Sequence, residues 1–133
     1  MSARALVLVA DDYPDGREIA AEVLEHEGFR TAGAATGPEA LAKARALRPD
    51  VLLLDLWLPG MDGWEVAQRL KADPATRGIK ILALTAHTER AALERARQAG
   101  CDVVLTKPCL PGQLVEEVRR LLDTPTPLPQ DAP

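Results

Sequence analysis

The chain has 133 residues, 47% hydrophobic and 27% charged, with a formal net charge of −4, which fits one domain with a substantial core. It carries no dense Lys/Arg block, so neither nucleic acid nor an anionic membrane is expected as its main partner. The apolar stretch that follows Arg4 is too short for a secretory signal or a membrane span, and a cytoplasmic location is the expectation.

Residues 4–10 read as a first strand, which runs into Asp11 and Asp12. Pro14 suits the first turn of a helix that turns Ile19, Val23 and Leu24 inward and closes at Gly28. His26 falls in its last turn, where positive charge is favourable. Residues 30–35 form the second strand, and Thr36-Gly37-Pro38-Glu39 reads as a capping box ahead of Leu41, Ala44 and Leu47. The run at 51–54, Val-Leu-Leu-Leu, lacks polar alternation, as expected of a strand covered on both faces. Asp62 opens a third helix with Val66 and Leu70 inward, ended by Asp73-Pro74. A fourth strand at 80–84 precedes a helix that Thr88 would cap, with Ala92, Leu93 and Ala96 inward and Gly100 as its stop. The fifth strand is 103–106, and a fifth helix over about 111–122 buries Leu114, Val115, Val118 and Leu121.

Five strand–helix alternations predict an α/β fold: a five-stranded parallel sheet, doubly wound by five helices. The domain is expected over 1–123. The segment 124–133 carries four prolines and is expected to be an extended, disordered tail. Cys101 and Cys109 match no metal or redox spacing and are expected to be reduced.

Polar groups collect just past the strands. Asp11 and Asp12 follow the first strand, Asp55 the third, Thr85 the fourth and Lys107 the fifth, while the second ends in Ala35. Ligands of open parallel sheets bind at this edge, where the winding reverses. If the strand order is 2-1-3-4-5, the reversal lies between the first and third strands, where the three aspartates meet. Two unit charges about 4 Å apart repel by roughly 4 kcal/mol at an effective dielectric near 20, so stability alone does not favour such a cluster. Magnesium relieves it with one or two carboxylates, waters and phosphate oxygens. Lys107 adds a fixed positive charge, and the Thr85 hydroxyl is a donor for a phosphoryl oxygen. Singly, each residue has a plainer reading: Asp11 or Asp12 as a helix cap, Asp55 as a turn residue, Lys107 as its ion-pair partner, Thr85 as a polar strand end. Four of five strands delivering complementary groups to one edge is what the plainer readings leave unexplained.

The segments Val9-Ala10-Asp11-Asp12, Leu53-Leu54-Asp55-Leu56-Trp57-Leu58-Pro59-Gly60-Met61-Asp62-Gly63, Leu84-Thr85-Ala86 and Thr106-Lys107-Pro108 carry a further reading. In this order and spacing the chain resembles the receiver domains of two-component response regulators, which implies the fold of flavodoxin and the chemotaxis regulators, with a strand order of 2-1-3-4-5. The resemblance covers about residues 4–122. It implies that Asp55 takes a phosphoryl group from a phosphohistidine on a sensor histidine kinase or a histidine phosphotransfer protein. It further implies Mg2+ held by Asp12, Asp55 and the backbone carbonyl of Trp57, with Asp11 acting mostly through water. Thr85 and Lys107 would hold phosphoryl oxygens, the Lys107–Pro108 bond would be cis, and hydrolysis would end the signal. Trp57 and His87 would overhang the site, and bulky Trp57 would slow hydrolysis.

The resemblance has gaps. Val104 stands where many receivers have an aromatic residue, Cys109 where Phe is common, and Leu110 and Gly112 weaken the start of the fifth helix. Output through the fourth helix, fifth strand and fifth helix is therefore not implied, and a monomer or weak dimer is the expectation. The sequence leaves open a stand-alone receiver, one excised from a hybrid kinase or longer regulator, or a pseudo-receiver that only binds protein. A haloacid-dehalogenase phosphatase would need an aspartate where Trp57 stands. A flavin mononucleotide carrier would need a phosphate-cradling loop where Asp11 and Asp12 stand, which would repel phosphate.

Overall fold

The computed structural model describes residues 4–86 and 89–123. Five strands and five helices alternate: β1 (Leu6–Ala10), α1 (Pro14–His26), β2 (Arg30–Ala34), α2 (Gly37–Leu47), β3 (Val51–Asp55), α3 (Gly63–Ala72), β4 (Lys80–Thr85), α4 (Arg90–Gln98), β5 (Val103–Thr106) and α5 (Pro111–Asp123). The strands form one sheet, order β2-β1-β3-β4-β5, and all four pairings are parallel. This is the expected doubly wound fold.

Two apolar layers flank the sheet, as side-chain alternation along a strand requires. Leu8, Leu52, Leu54, Ile81 and Ala83 point to one face, where Leu41, Ala44, Val66, Leu70 and Ala96 of α2, α3 and α4 cover them. Val7, Val9, Val51, Leu53 and Leu82 point to the other, under Leu24 of α1 and Leu114, Val115, Val118 and Leu121 of α5. All of β3 is buried, which explains why its sequence shows no polar alternation.

Local signals hold in most places. Thr36 Oγ1 accepts from the Glu39 N–H at 3.1 Å, and Glu39 reaches back to the N–H of Ala35 at 2.7 Å, one residue before the cap. Asp62 Oδ1 caps α3 by accepting from the Glu65 N–H at 2.9 Å. Gly28, with φ of +97°, follows α1 as a C-terminal glycine should. Both cysteines are free, and burial, helped by Asp102, pushes the Cys101 thiol up to about 12.

Two expected core residues are exposed. Ile19 is 59% accessible because its part of α1 borders an open cavity at the end of the sheet rather than the sheet itself. Leu47, 46% accessible, ends α2 beside edge strand β2, where no further strand covers it. Tyr13, not an aspartate, occupies the N-cap of α1 and makes no side-chain cap bond. Glu89 precedes α4 as its N-cap, also without one; the expected cap Thr88, along with His87 and the tail 124–133, lies outside the described residues.

Candidate functional site

The polar residues past the strands reach a common level. Ala10 lies beside Leu54, Asp55 beside Leu84, and Thr85 beside Thr106. Asp11, Asp55, Thr85 and Lys107 thus leave the sheet within two residues of one another along its carboxyl edge.

Asp11, Asp12 and Asp55 each offer a carboxylate oxygen, and these oxygens lie within 4.8 Å of one another. Asp55 is buried, 7% accessible, Asp11 is partly buried and Asp12 exposed. Lys107 Nζ stands 3.0 Å from Asp55 Oδ2, and the Trp57 N–H donates to Asp55 Oδ1 at 2.9 Å. Asp11 Oδ1 accepts from the Tyr13 N–H at 2.9 Å. Each carboxylate oxygen has two lone pairs, so a single donor leaves it able to bind again. Thr85 is buried, and its carbonyl accepts from the Lys107 N–H at 2.8 Å. That bond sets the start of the loop that carries the ammonium group. The Lys107–Pro108 peptide is cis.

An open cavity of about 690 Å³ exposes this cluster to solvent, with Ile19, Pro108 and Pro111 among its apolar walls. The loop after Asp55 is pressed against α3. A Cβ on Gly63 would lie 2.7 Å from Leu56 Cα and 2.9 Å from the Asp55 carbonyl oxygen, so a side chain there would push the Asp55 backbone aside. The sequence offered only a glycine after a helix cap, with no sign of this approach. Trp57 meets Trp64 edge to face, ring centroids 5.4 Å apart, and the Arg95 guanidinium lies 4.2 Å from the centre of Trp64. This stack ties the loop to α3 and α4, and sequence spacing gave no hint of it. Val104 is partly buried and packs on the core beneath α4.

The sequence model of the response regulator receiver domain matches residues 7–119. The chain belongs to that family. The DNA-binding response regulator MtrA of Mycolicibacterium smegmatis is similar, 43% identical over 119 residues, which are 90% of this chain and 51% of MtrA. The receiver thus spans about half the length of the first curated relatives it matches. The polar-differentiation response regulator DivK of Brucella anthropi is 34% identical over 116 residues, 87% of this chain and 94% of DivK. Among solved structures, the receiver domain of the sensor histidine kinase PA1611 from Pseudomonas aeruginosa has a TM-score of 0.85 at 29% identity, covering 92% of this chain and 100% of that one. That domain has a magnesium ion coordinated in its active-site cleft. As a receiver, this chain is a response-regulator module of two-component signalling, a family that typically binds Mg2+. No helix among the described residues is long and apolar enough to cross a membrane.

Proposed function

We propose that this receiver accepts a phosphoryl group on Asp55 from the phosphohistidine of a sensor histidine kinase or a histidine phosphotransfer protein. Its loss by hydrolysis would then reset the module. The observation that carries the reading is three carboxylate oxygens within 4.8 Å of one another beside one ammonium group at 3.0 Å. An all-oxygen donor set with excess negative charge suits a hard divalent cation. Asp12, Asp55 and the Trp57 carbonyl would hold Mg2+ directly, with Asp11 acting through water. Bound there, Mg2+ supplies positive charge that offsets repulsion between the carboxylates and the incoming phosphoryl oxygens.

The residues divide the remaining work. A carboxylate oxygen of Asp55 attacks phosphorus; the N–P bond breaks, and its electron pair stays on the imidazole, which takes a proton from solvent. Lys107, already paired with Asp55, neutralises a phosphoryl oxygen, and the Thr85 hydroxyl donates to another. Water then attacks phosphorus, releasing inorganic phosphate and restoring the carboxylate. Small acyl phosphates would serve as alternative donors. The functional unit is 1–123, which extends the family match at 7–119 by six residues at its start and by four at its end, to the close of α5. Its output is a change in binding to a protein partner. DNA binding belongs to the name of the longer MtrA; a net charge of −4 without a basic block keeps it outside the activity proposed for this domain.

Intact mass after incubation with acetyl phosphate and Mg2+ tests the reading. One added phosphate is expected in the wild type and none in Asp55→Asn; no adduct with any donor refutes it. Trp57, 54% accessible and braced by Trp64, is expected to slow hydrolysis. Decay in Trp57→Ala should be about fivefold faster, the effect of about 1 kcal/mol on a barrier, and an unchanged rate removes Trp57 from this role.

A further inference from the structure

Strand β2 sends no polar side chain to the cleft, yet its end supports the Asp11–Asp12 turn. The Asp11 N–H donates to the Ala34 carbonyl at 3.0 Å. The Asp11 carbonyl in turn accepts from Arg17 Nη1 at 2.8 Å, so an arginine in α1 reaches back to the residue that leaves β1. The stem of Arg17 lies across β2 where Gly33 has no side chain: a Cβ there would stand 3.2 Å from Arg17 Cδ and 3.5 Å from Cγ. Glycine is a weak choice for a strand interior and marks close approach by another group. On its other side the Gly33 carbonyl accepts from Lys43 Nζ at 2.6 Å. Lys43 pairs with Glu39 at 3.1 Å, and Glu39 holds the Ala35 N–H. Arg17 is also near enough to Glu39 to favour its ionised form. A second glycine completes the fit, since a Cβ on Gly16 would stand 2.8 Å from Asp11 Oδ2.

We infer that Arg17 is a positioning residue for divalent-cation binding: by fixing the Asp11 carbonyl it sets the turn from which Asp11 and Asp12 converge on Asp55. The inference rests on the proposed cation site. It has a consequence opposite in sign to simple electrostatics. Arg17 is a positive charge near an anionic cleft, so by Coulomb's law its removal should tighten cation binding. If it acts by position, removal weakens binding.

Calorimetric titration of the full chain with MgCl2 separates the two, with melting curves as a control for folding. Arg17→Ala is expected to weaken Mg2+ binding about tenfold, the usual scale for a group that orients metal ligands. Arg17→Lys keeps a long stem and a donor and should restore most of the loss. Gly33→Ala leaves every charge in place but forces the Arg17 stem to shift; it should weaken binding about threefold, a fraction of the deletion's effect, and add nothing in the Arg17→Ala background. Unchanged or tighter binding in a folded Arg17→Ala protein overturns the inference. Should Arg17→Ala not fold, unchanged affinity in Gly33→Ala overturns it instead. A wild-type chain that binds no Mg2+ takes away the cation site itself, a failure distinct from wild-type binding with indifferent variants.

Discussion

The two ends of the sheet use aspartate in opposite ways. At the amino end of the strands, Asp50 Oδ2 accepts from the Leu6 N–H at 2.8 Å. Asp102 Oδ2 accepts from the Ile81 N–H at 2.7 Å and meets Lys71 Nζ at 3.2 Å. Each carboxylate there stands apart from the other and satisfies a backbone donor at a strand entry. At the carboxyl end, Asp11, Asp12 and Asp55 crowd within reach of one another, with Lys107 paired to one of them. Asp11 and Asp55 also accept from backbone N–H groups, but in a crowd, so the side chain that only closes hydrogen bonds at one end adds mutual repulsion at the other. What separates scaffold from site is how many carboxylates the topology brings together, not their chemistry.

Substitution should bring out that contrast. The largest effect is expected for Asp102→Ala, which leaves the Ile81 N–H without its acceptor and takes the carboxylate from Lys71, whose ammonium group keeps the Arg77 and Ile79 carbonyls; a loss of about 2 kcal/mol is on the scale of such groups. A melting temperature within a degree of wild type would break the comparison at its structural end. Asp12→Asn should do the reverse. Without Mg2+ it relieves repulsion and is expected to raise the melting temperature by a few degrees, about 1 kcal/mol or less because Asp12 is exposed and screened. With Mg2+ present the variant should gain less than the wild type does. A clear drop in metal-free buffer contradicts the crowding argument.

The smallest effect concerns pH. The Ala35 N–H, aided by Lys43, holds the Glu39 carboxyl below its usual 4.5. A lowered carboxyl pKa contributes stability above its unfolded value and loses it as pH falls through the folded one. Below about pH 4.5 the wild type should therefore lose stability slightly faster than Glu39→Gln, measured by urea unfolding across that range. Identical pH profiles would show that this bond adds nothing.

Much of this was legible in the residues. Val51–Leu54 announced a strand covered on both faces, Thr36 and Asp62 announced helix starts, and the residues after each strand announced where polar groups collect. Ile19 misled because periodicity says which side of a helix is apolar but not how far the sheet beneath it extends. Thr85 and Lys107 were legible as strand-end residues, yet the bond from the Lys107 N–H to the Thr85 carbonyl needed the register of β4 against β5.

The sequence by itself determined the alternation of elements and the list of groups at the carboxyl edge, because these follow from local propensity and turn chemistry, while the strand order was implied by the resemblance to receivers. Tertiary structure alone decided that Arg17 lies on Gly33 and grips the Asp11 carbonyl, that Gly63 lies against Asp55, and that Trp57, Trp64 and Arg95 form a stack. Those contacts join residues on separate elements, and their distances depend on how helices settle on a twisted sheet, which no spacing along the chain encodes.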